Sequence, residues 1–571
     1  MRTALTDGRP LLERGGGALA ILTFCAVLVF AILPMARLLV AAMVPGGTFG
    51  ANALLAPFLS RAGQGAVIAT LETATGSTLL ALCLGSALAL VLTTADVRGR
   101  QALTFLFVLS MLISPQVAAV AFLSLAGPSS PLLTTLGLAP EPGSVNPLLG
   151  RGGVILVMGL HHAPLVFIVL ATGLKRVPRA LIEAARIDGA RPTRIMTTIL
   201  LPILRPHLVG AALLAFVAGV GNFGIPAVLG LPVNYVTLPT LIYRRLSSFG
   251  PTIITDVAAL GILVGALAGI GVIAGRFALR APAILLEDDA RLAPFWRLEH
   301  RRPVVEAVLW LVIAIVLILP GLGLLTTALV PSHGMPLTAA TITFEHFVEI
   351  LLRQQVTMRA FANSFVFAGA SALFLALLSI PLAYALARRM PRLAGLISGL
   401  IEMPYALPGV VLAIACILLF LKPLPLIGHS LYATPWIILF GYASRFLAVV
   451  LKPVAAAMGQ IDPLQEEAAA LDGAGFWRRL KDIVAPSLLP AAAAGALLAF
   501  LFAFGELTVS ALLWSAGTET IGVALYSFEE AGLASQAAAI GVVTVAIVAA
   551  TMIVLDLLRS LLPEGILPWR V

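Results

Sequence analysis

Residues 18–36 read ALAILTFCAVLVFAILPMA, and runs of the same character recur along all 571 residues. About 20 apolar residues in a helix cross the hydrocarbon core of a bilayer. A soluble core stripes or alternates its apolar residues, and these runs do neither. The composition agrees: 60% of residues are apolar, 11% are charged, and mean hydropathy is +1.05. No water-soluble globule has this balance. The chain reads as an all-α polytopic membrane protein.

Twelve spans are predicted, at roughly 17–43, 66–94, 102–127, 153–174, 207–230, 253–279, 303–330, 360–387, 393–421, 432–452, 491–515 and 535–559. Several carry proline (Pro115, Pro226, Pro320, Pro381, Pro404, Pro408), whose freed backbone groups neighbouring helices in a bundle can satisfy. With both termini in the cytoplasm, most Lys and Arg fall in cytoplasmic segments, as the positive-inside rule requires, and Arg445 lies within a span. The net charge of +9 is therefore membrane anchoring. Basic residues flank spans without interleaved aromatics, so nucleic acid is not an expected partner. Arg2, Arg9 and Arg14 precede the first run, but it outlasts a signal peptide's apolar region and reads as a retained span. Cys25, Cys83 and Cys416 sit inside spans at no metal-like spacing and read as packing residues.

Two polar islands interrupt the oil, EAARIDGA at Glu183–Ala190 and EAAALDGA at Glu467–Ala474. Aligned without gaps, Glu183–Asn222 and Glu467–Glu506 are identical at 17 of 40 positions. The matches include Arg194 with Arg478, Ile199 with Ile483, Pro202 with Pro486, Pro206 with Pro490, and the run ALLAF. Such an internal repeat sets the fold. Each half holds six spans with its island between the fourth and fifth, so both islands emerge on one side and the repeat is parallel. The halves are 1–280 and 303–571, with island loops at about 175–206 and 453–490, joined by a cytoplasmic linker at 281–302.

Within each island, Glu-Ala-Ala favours a short helix, and Gly189 or Gly473 stands where a left-handed residue would end it. Pro192 suits the first turn of a second helix, which Pro202 and Pro206 are expected to close. Successive alanines let a foreign surface approach the backbone, and a rigid knob shown twice on one face suits a two-fold symmetric partner.

Glu-Ala-Ala, three residues, Gly, and a later Ile-x-x-Pro resemble the EAA signature of binding-protein-dependent ABC importer permeases. Two copies on one chain resemble the fused permeases of the ferric iron, thiamine and phosphonate importers. The resemblance implies a tandem of two six-helix permease domains. It also implies that the islands are coupling helices seated on two copies of a cytoplasmic ATPase, at Glu183, Ala184, Ala185, Gly189 and Pro202, and at Glu467, Ala468, Ala469, Gly473 and Pro486. Because Glu466 precedes Glu467, either acid could make the second anchoring contact. A periplasmic binding protein would deliver the solute, and the chain would sit in the bacterial inner membrane.

No phosphate-cradling Gly-x-x-x-x-Gly-Lys-Ser/Thr exists, since Gly-Lys occurs nowhere. ATP and Mg would be used by the partner, this chain binding no cofactor and no metal. His161 and His162 are adjacent, pointing about 100° apart on a helix, a poor geometry for one ion. Asn222 and Glu506 are repeat equivalents at membrane depth, and Glu402 sits beside a double proline break. A buried acid must face a cavity or a partner, so these three are candidates for the translocation pathway, or for structural hydrogen bonds. Glu72, Asp256 and Glu306 lie near span ends, within reach of interfacial water.

A twelve-span secondary transporter shares the six-plus-six layout. The loop TTADVRGRQ is similar to an element of major facilitator transporters, but Leu92 stands where that element has glycine. An intramembrane hydrolase would need paired catalytic groups at helical spacing, and none occurs. For the substrate, NFGIPAVLGLPVNYVTLPTLIYRRL (Asn222–Leu246) resembles ferric iron permeases. Aminoethylphosphonate, thiamine and polyamines are the alternatives.

Overall fold

A computed structural model describes residues 14–43, 58–175, 177–248, 253–278, 294–424, 428–561, 567 and 569–570. Among them ten helices are long and apolar enough to cross a membrane, and two bent pairs bring the number to twelve if each pair is one span. The first half contains α1 (Gly17–Met43), α2 (Arg61–Thr94), the bent pair α3 (Arg100–Leu112) and α4 (Pro115–Leu125), and α5 (Arg151–Lys175). It continues with the island helix α6 (Arg179–Ile187), α7 (Pro192–Val220), the short α8 (Gly224–Leu229) and α9 (Leu238–Leu246), and α10 (Ile253–Ala278). The second half repeats this order. Its spans are α11 (Glu299–Ala328), α12 (Gln355–Arg389), the bent pair α13 (Ala394–Ala406) and α14 (Gly409–Phe420), and α15 (Pro435–Gln460). Then come the island helix α16 (Pro463–Leu471), α17 (Phe476–Phe504), α18 (Ser510–Leu513), α19 (Ile521–Glu530) and α20 (Ala534–Leu557).

Proline shapes these helices in two ways. Ser114 and Leu407, each before a proline, are extended (ψ 147° in both), because proline's ring crowds the preceding residue out of the helical region. The pairs α3–α4 and α13–α14 bend there by 105° and 101°. Elsewhere the chain goes straight on. Pro202 and Pro206 do not close the second island helix, as their residue type suggests, but lie inside the continuous α7. A π-helical turn, Met196–Leu200, precedes Pro202, and Leu480–Val484 precedes Pro486. Leu28–Ile32 before Pro34 and Ala314–Ile318 before Pro320 repeat the device. Proline clashes with the carbonyl four residues back, and a turn wider by one residue carries that carbonyl away.

The two halves interlock. α1 packs against α13 and α14 of the second half, and α11 packs against α3 and α4 of the first. At the centre the contact is reciprocal. A Cβ on Gly221, at the end of α7, would lie 3.1 Å from the Cβ of Pro408, and one on Gly505, at the end of α17, 2.9 Å from the Cβ of Ser114. Each half thus lays its bent pair against the glycine that ends the other half's post-island span. The described end of the linker is pinned under α2: Phe295 and Trp296 donate their N–H groups to the Thr94 carbonyl at 3.0 and 2.9 Å. Asp96 accepts from Leu298 N at 2.9 Å and lies 3.8 Å from Arg302. The Leu298 amide above all, with Arg302 behind it, holds the Asp96 carboxyl below its usual range. Linker residues 281–293 and the N-terminal residues 1–13 lie outside the described residues. Of the three cysteines only Cys416 is packed inside. Cys25 and Cys83, expected to pack, face outward, as an apolar side chain can in a span bordered by lipid.

Candidate functional site

The islands fold alike. In α6, Asp188 N bonds to Ala184 O, Gly189 N to Arg186 O and Ala190 N to Ala185 O. In α16, Asp472, Gly473 and Ala474 repeat the pattern onto Ala468, Ala470 and Ala469. This is the six-to-one closure of a helix on a left-handed residue, and Gly189 and Gly473 have φ of 75° and 82°. A Cβ on either would meet nothing within 4 Å. Ala184 and Ala468 are exposed, and Ala185 and Ala469 half-buried. Ile187 and Leu471, overlooked in the sequence, are 86% and 89% exposed at equivalent positions. Each island thus bares one apolar side chain beside two alanines and a tight turn. The signal was an apolar residue set directly before Asp-Gly in both copies.

The islands differ in how they attach. Glu183 is exposed and pairs with Arg179 on its own helix (2.6 Å). Glu467 is exposed as well. Glu466, by contrast, is 8% exposed. It accepts from Tyr384 Oη at 2.8 Å and Arg388 Nε at 3.1 Å, while Arg388 Nη2 donates to the Ile461 carbonyl at 2.7 Å. Phe476 completes the clamp, edge-on to Tyr384 (5.7 Å between centroids) and beneath Arg389 (5.4 Å). In the first half Ile182, 2% exposed, takes Glu466's place. The register follows from matched bonds, Thr70 Oγ1 accepting from Leu238 N and Ser364 Oγ from Ile521 N. It sets Leu90 and Thr94 opposite Tyr384 and Arg388. One island rests on apolar packing, the other on a buried ion pair.

Asn222 and Glu506 flank the central glycines Gly221 and Gly505, and both are buried. Their oxygens turn to nearby backbone. Asn222 Oδ1 accepts from Ile225 N at 3.1 Å. Glu506 accepts from Val509 N (2.9 Å), Ser510 N (3.1 Å) and the Thr508 hydroxyl. Each thereby caps the short helix beginning next, α8 or α18. Glu402 lies apart from them, in an ion pair with Lys452 (3.2 Å). Arg445 points Nη1 at the Leu407 carbonyl (3.5 Å), one of those freed by the bend.

Two features of this interface carried no sequence signal. Gln116, fully buried after the α3–α4 bend, donates Nε2 to the Gly505 carbonyl of the other half at 2.8 Å. Phe223, Tyr243 and Tyr526 form an aromatic triangle, with centroids 5.2 to 5.8 Å apart, that joins α9 to α19 across the halves. Near the span ends, Glu72 meets Tyr235 (3.2 Å) and Arg151 (3.3 Å), and Glu306 accepts from Arg98 N (2.8 Å) and pairs with Arg302.

A family model described as "Binding-protein-dependent transport system inner membrane component" matches residues 81–280 and 379–566, one match in each half. The chain is 26% identical over 560 residues, 95% of both chains, to "Probable ABC transporter permease protein y4fN" of Sinorhizobium fredii. It is 23% identical over 392 residues, 66% of this chain and 70% of the relative, to the Fe(3+)-transport system permease protein FbpB 2 of Haemophilus influenzae. It is 28% identical over 212 residues, 37% of this chain and 78% of the relative, to the molybdenum transport system permease protein ModB of Mycobacterium tuberculosis.

Proposed function

This chain belongs to the family of binding-protein-dependent transport system inner membrane components, and from that premise we propose that its two islands each seat one copy of a cytoplasmic ATPase. It is a membrane-spanning permease subunit of an ABC importer, a transport component that works with an ATPase and a substrate-binding protein. The observation carrying the two-site reading is the pair of identically closed helices, α6 and α16. Each precedes a span of equal length whose terminal glycine packs against the other half's bent pair, which supports both knobs lying on one side. The coupling residues are Glu183, Ala184, Ala185 and Gly189 with Pro202 behind them, and Glu467, Ala468, Ala469 and Gly473 with Pro486 behind them. ATP-driven closure of two ATPase copies pushes both islands and rocks the halves about the central glycines. The islands and both chain ends face the cytoplasm. Arg570, near the C-terminus, supports this, since its carbonyl lies 3.5 Å from Lys175 Nζ, just before the first island.

The pathway runs between the halves, with Asn222 and Glu506 shaping its walls through the helices they cap and Glu402 nearer the islands. Ferric iron is the proposed cargo. Its support is the resemblance of Asn222–Leu246 to ferric iron permeases and the likeness to the Haemophilus permease across 66% of this chain. The test is reconstitution with the ATPase subunit in vesicles and a panel of binding proteins loaded with ferric iron, aminoethylphosphonate, thiamine, a polyamine or molybdate. Stimulated ATP hydrolysis with uptake of iron alone is expected. Stimulation by another cargo would overturn the iron assignment, and uptake without any ATPase would overturn the importer reading. Glu506→Ala should slow uptake, and unchanged affinity and rate would remove it from the pathway.

A further inference from the structure

On the face opposite the islands the two halves share a shape and differ in charge. The matched bonds to Thr70 and Ser364 put α9 and α19 in register, with Tyr243 opposite Tyr526. α9 then ends through Arg244 and Arg245, both exposed, where α19 has Ser527 and Phe528. α19 ends instead on Glu529 and Glu530, where the first half has Leu246 and Ser247. Since α19 forms the same helix without arginines, the fold does not require them.

Around Arg244 and Arg245 lies a cavity of about 600 Å3 that Arg61, Asn234 and Ser248 also line. Glu72, its one acid, is engaged by Tyr235 and Arg151, and Arg244 donates to Asn234 Oδ1 at 3.1 Å. Among the described residues the side chains of Arg61 and Arg245 have no ion-pair partner, and neither do Glu529 and Glu530. Glu529 is half-buried, with its Oε2 shut off from solvent, and Glu530 is exposed. The outer face thus carries an unneutralised positive pole at Arg61 and Arg245 on the first half and a negative one at Glu530 on the second, either side of the tyrosine pair.

A binding protein has two lobes that close on its cargo. On a surface with near two-fold symmetry it could sit in either of two orientations, and shape alone could not choose between them. Charge can, because the reversed orientation sets like charges face to face. Resting on the importer reading above, we propose that this polarised face docks the binding protein in one orientation only, an acidic lobe over the arginine cavity of the first half and a basic patch of the other lobe over Glu530.

The test uses the full chain with its ATPase subunit in lipid nanodiscs and the loaded binding protein that stimulates hydrolysis in the preceding assay. R244E/R245E should raise the half-saturating concentration of binding protein roughly tenfold at low ionic strength, with the gap closing in high salt. E530K, at the other pole, should act in the same direction. Gel filtration and retention of the ATPase subunit check folding of each. A photo-crosslinker on S248C should label one lobe only. Unchanged half-saturation in both charge variants, or equal labelling of both lobes, overturns the proposal while leaving the importer reading intact. A wild-type complex that responds to no binding protein overturns both.

Discussion

At the scale of single residues, Glu466 shows how one side chain distinguishes two copies of a motif. Its carboxylate lies between Tyr384 and Arg388, where Ile182 of the other island meets apolar packing. Removing one partner of a buried pair leaves the other charge uncompensated. Glu466→Ala should therefore lower stability by about 2 kcal/mol and loosen the second island, seen as a lower melting temperature and less uptake per ATP hydrolysed. Glu466→Gln, which keeps the Tyr384 bond, should lose less. Equal coupling in Glu466→Ala and wild type would reduce the clamp to local packing. Gly473 tests the docking face itself. With φ at 82° and open space around it, Gly473→Trp should cost roughly 1–2 kcal/mol of backbone strain and project bulk at the alanine face. Folded protein that hydrolyses ATP without uptake is expected, and wild-type uptake would argue against contact there.

At the scale of elements, proline followed the local sequence only in part. Pro404 and Pro408 announced a break, and the chain bends by 101° at Leu407. Pro202 and Pro206 announced one too, yet a π turn absorbed the clash and α7 ran on from island to membrane centre. The consequence is mechanical, since a continuous helix transmits an island's displacement to the central glycines. Pro486→Ala should let the turn at Leu480–Val484 relax to α-helix. That change rotates the island by about 100° against the span below it. Uptake should fall while thermal stability holds or rises, because the missing backbone bond is regained. A variant with normal uptake would show that the turn's phase does not matter.

At the scale of the whole molecule, the halves are held by reciprocity. Gly221 against Pro408 and Gly505 against Ser114 are one contact made twice, and Gln116 stitches one side of it. Gly505→Val would drive side-chain atoms into Ser114, where even a Cβ sits at 2.9 Å. A loss of about 1–3 kcal/mol, read as a lower melting temperature with the ATPase subunit still bound, is the expected outcome. Uptake should be affected more than binding, because the same contact is the fulcrum proposed between the halves.

By itself the sequence determined the solvent, the span number, the parallel repeat and both islands, because each is written in local runs or in a comparison of one stretch with another. Gly189 and Gly473 could be read as left-handed helix ends for the same reason. Only the tertiary structure decided that Glu466 turns inward while Glu467 stays exposed, and that Asn222 and Glu506 aim at the backbone beside them. It also decided that α1 and α11 each lie against the opposite half. Lipid is as apolar as leucine, so greasiness cannot say which neighbour a span chooses. That choice rests on close fits between glycines, bends and buried polar groups hundreds of residues apart.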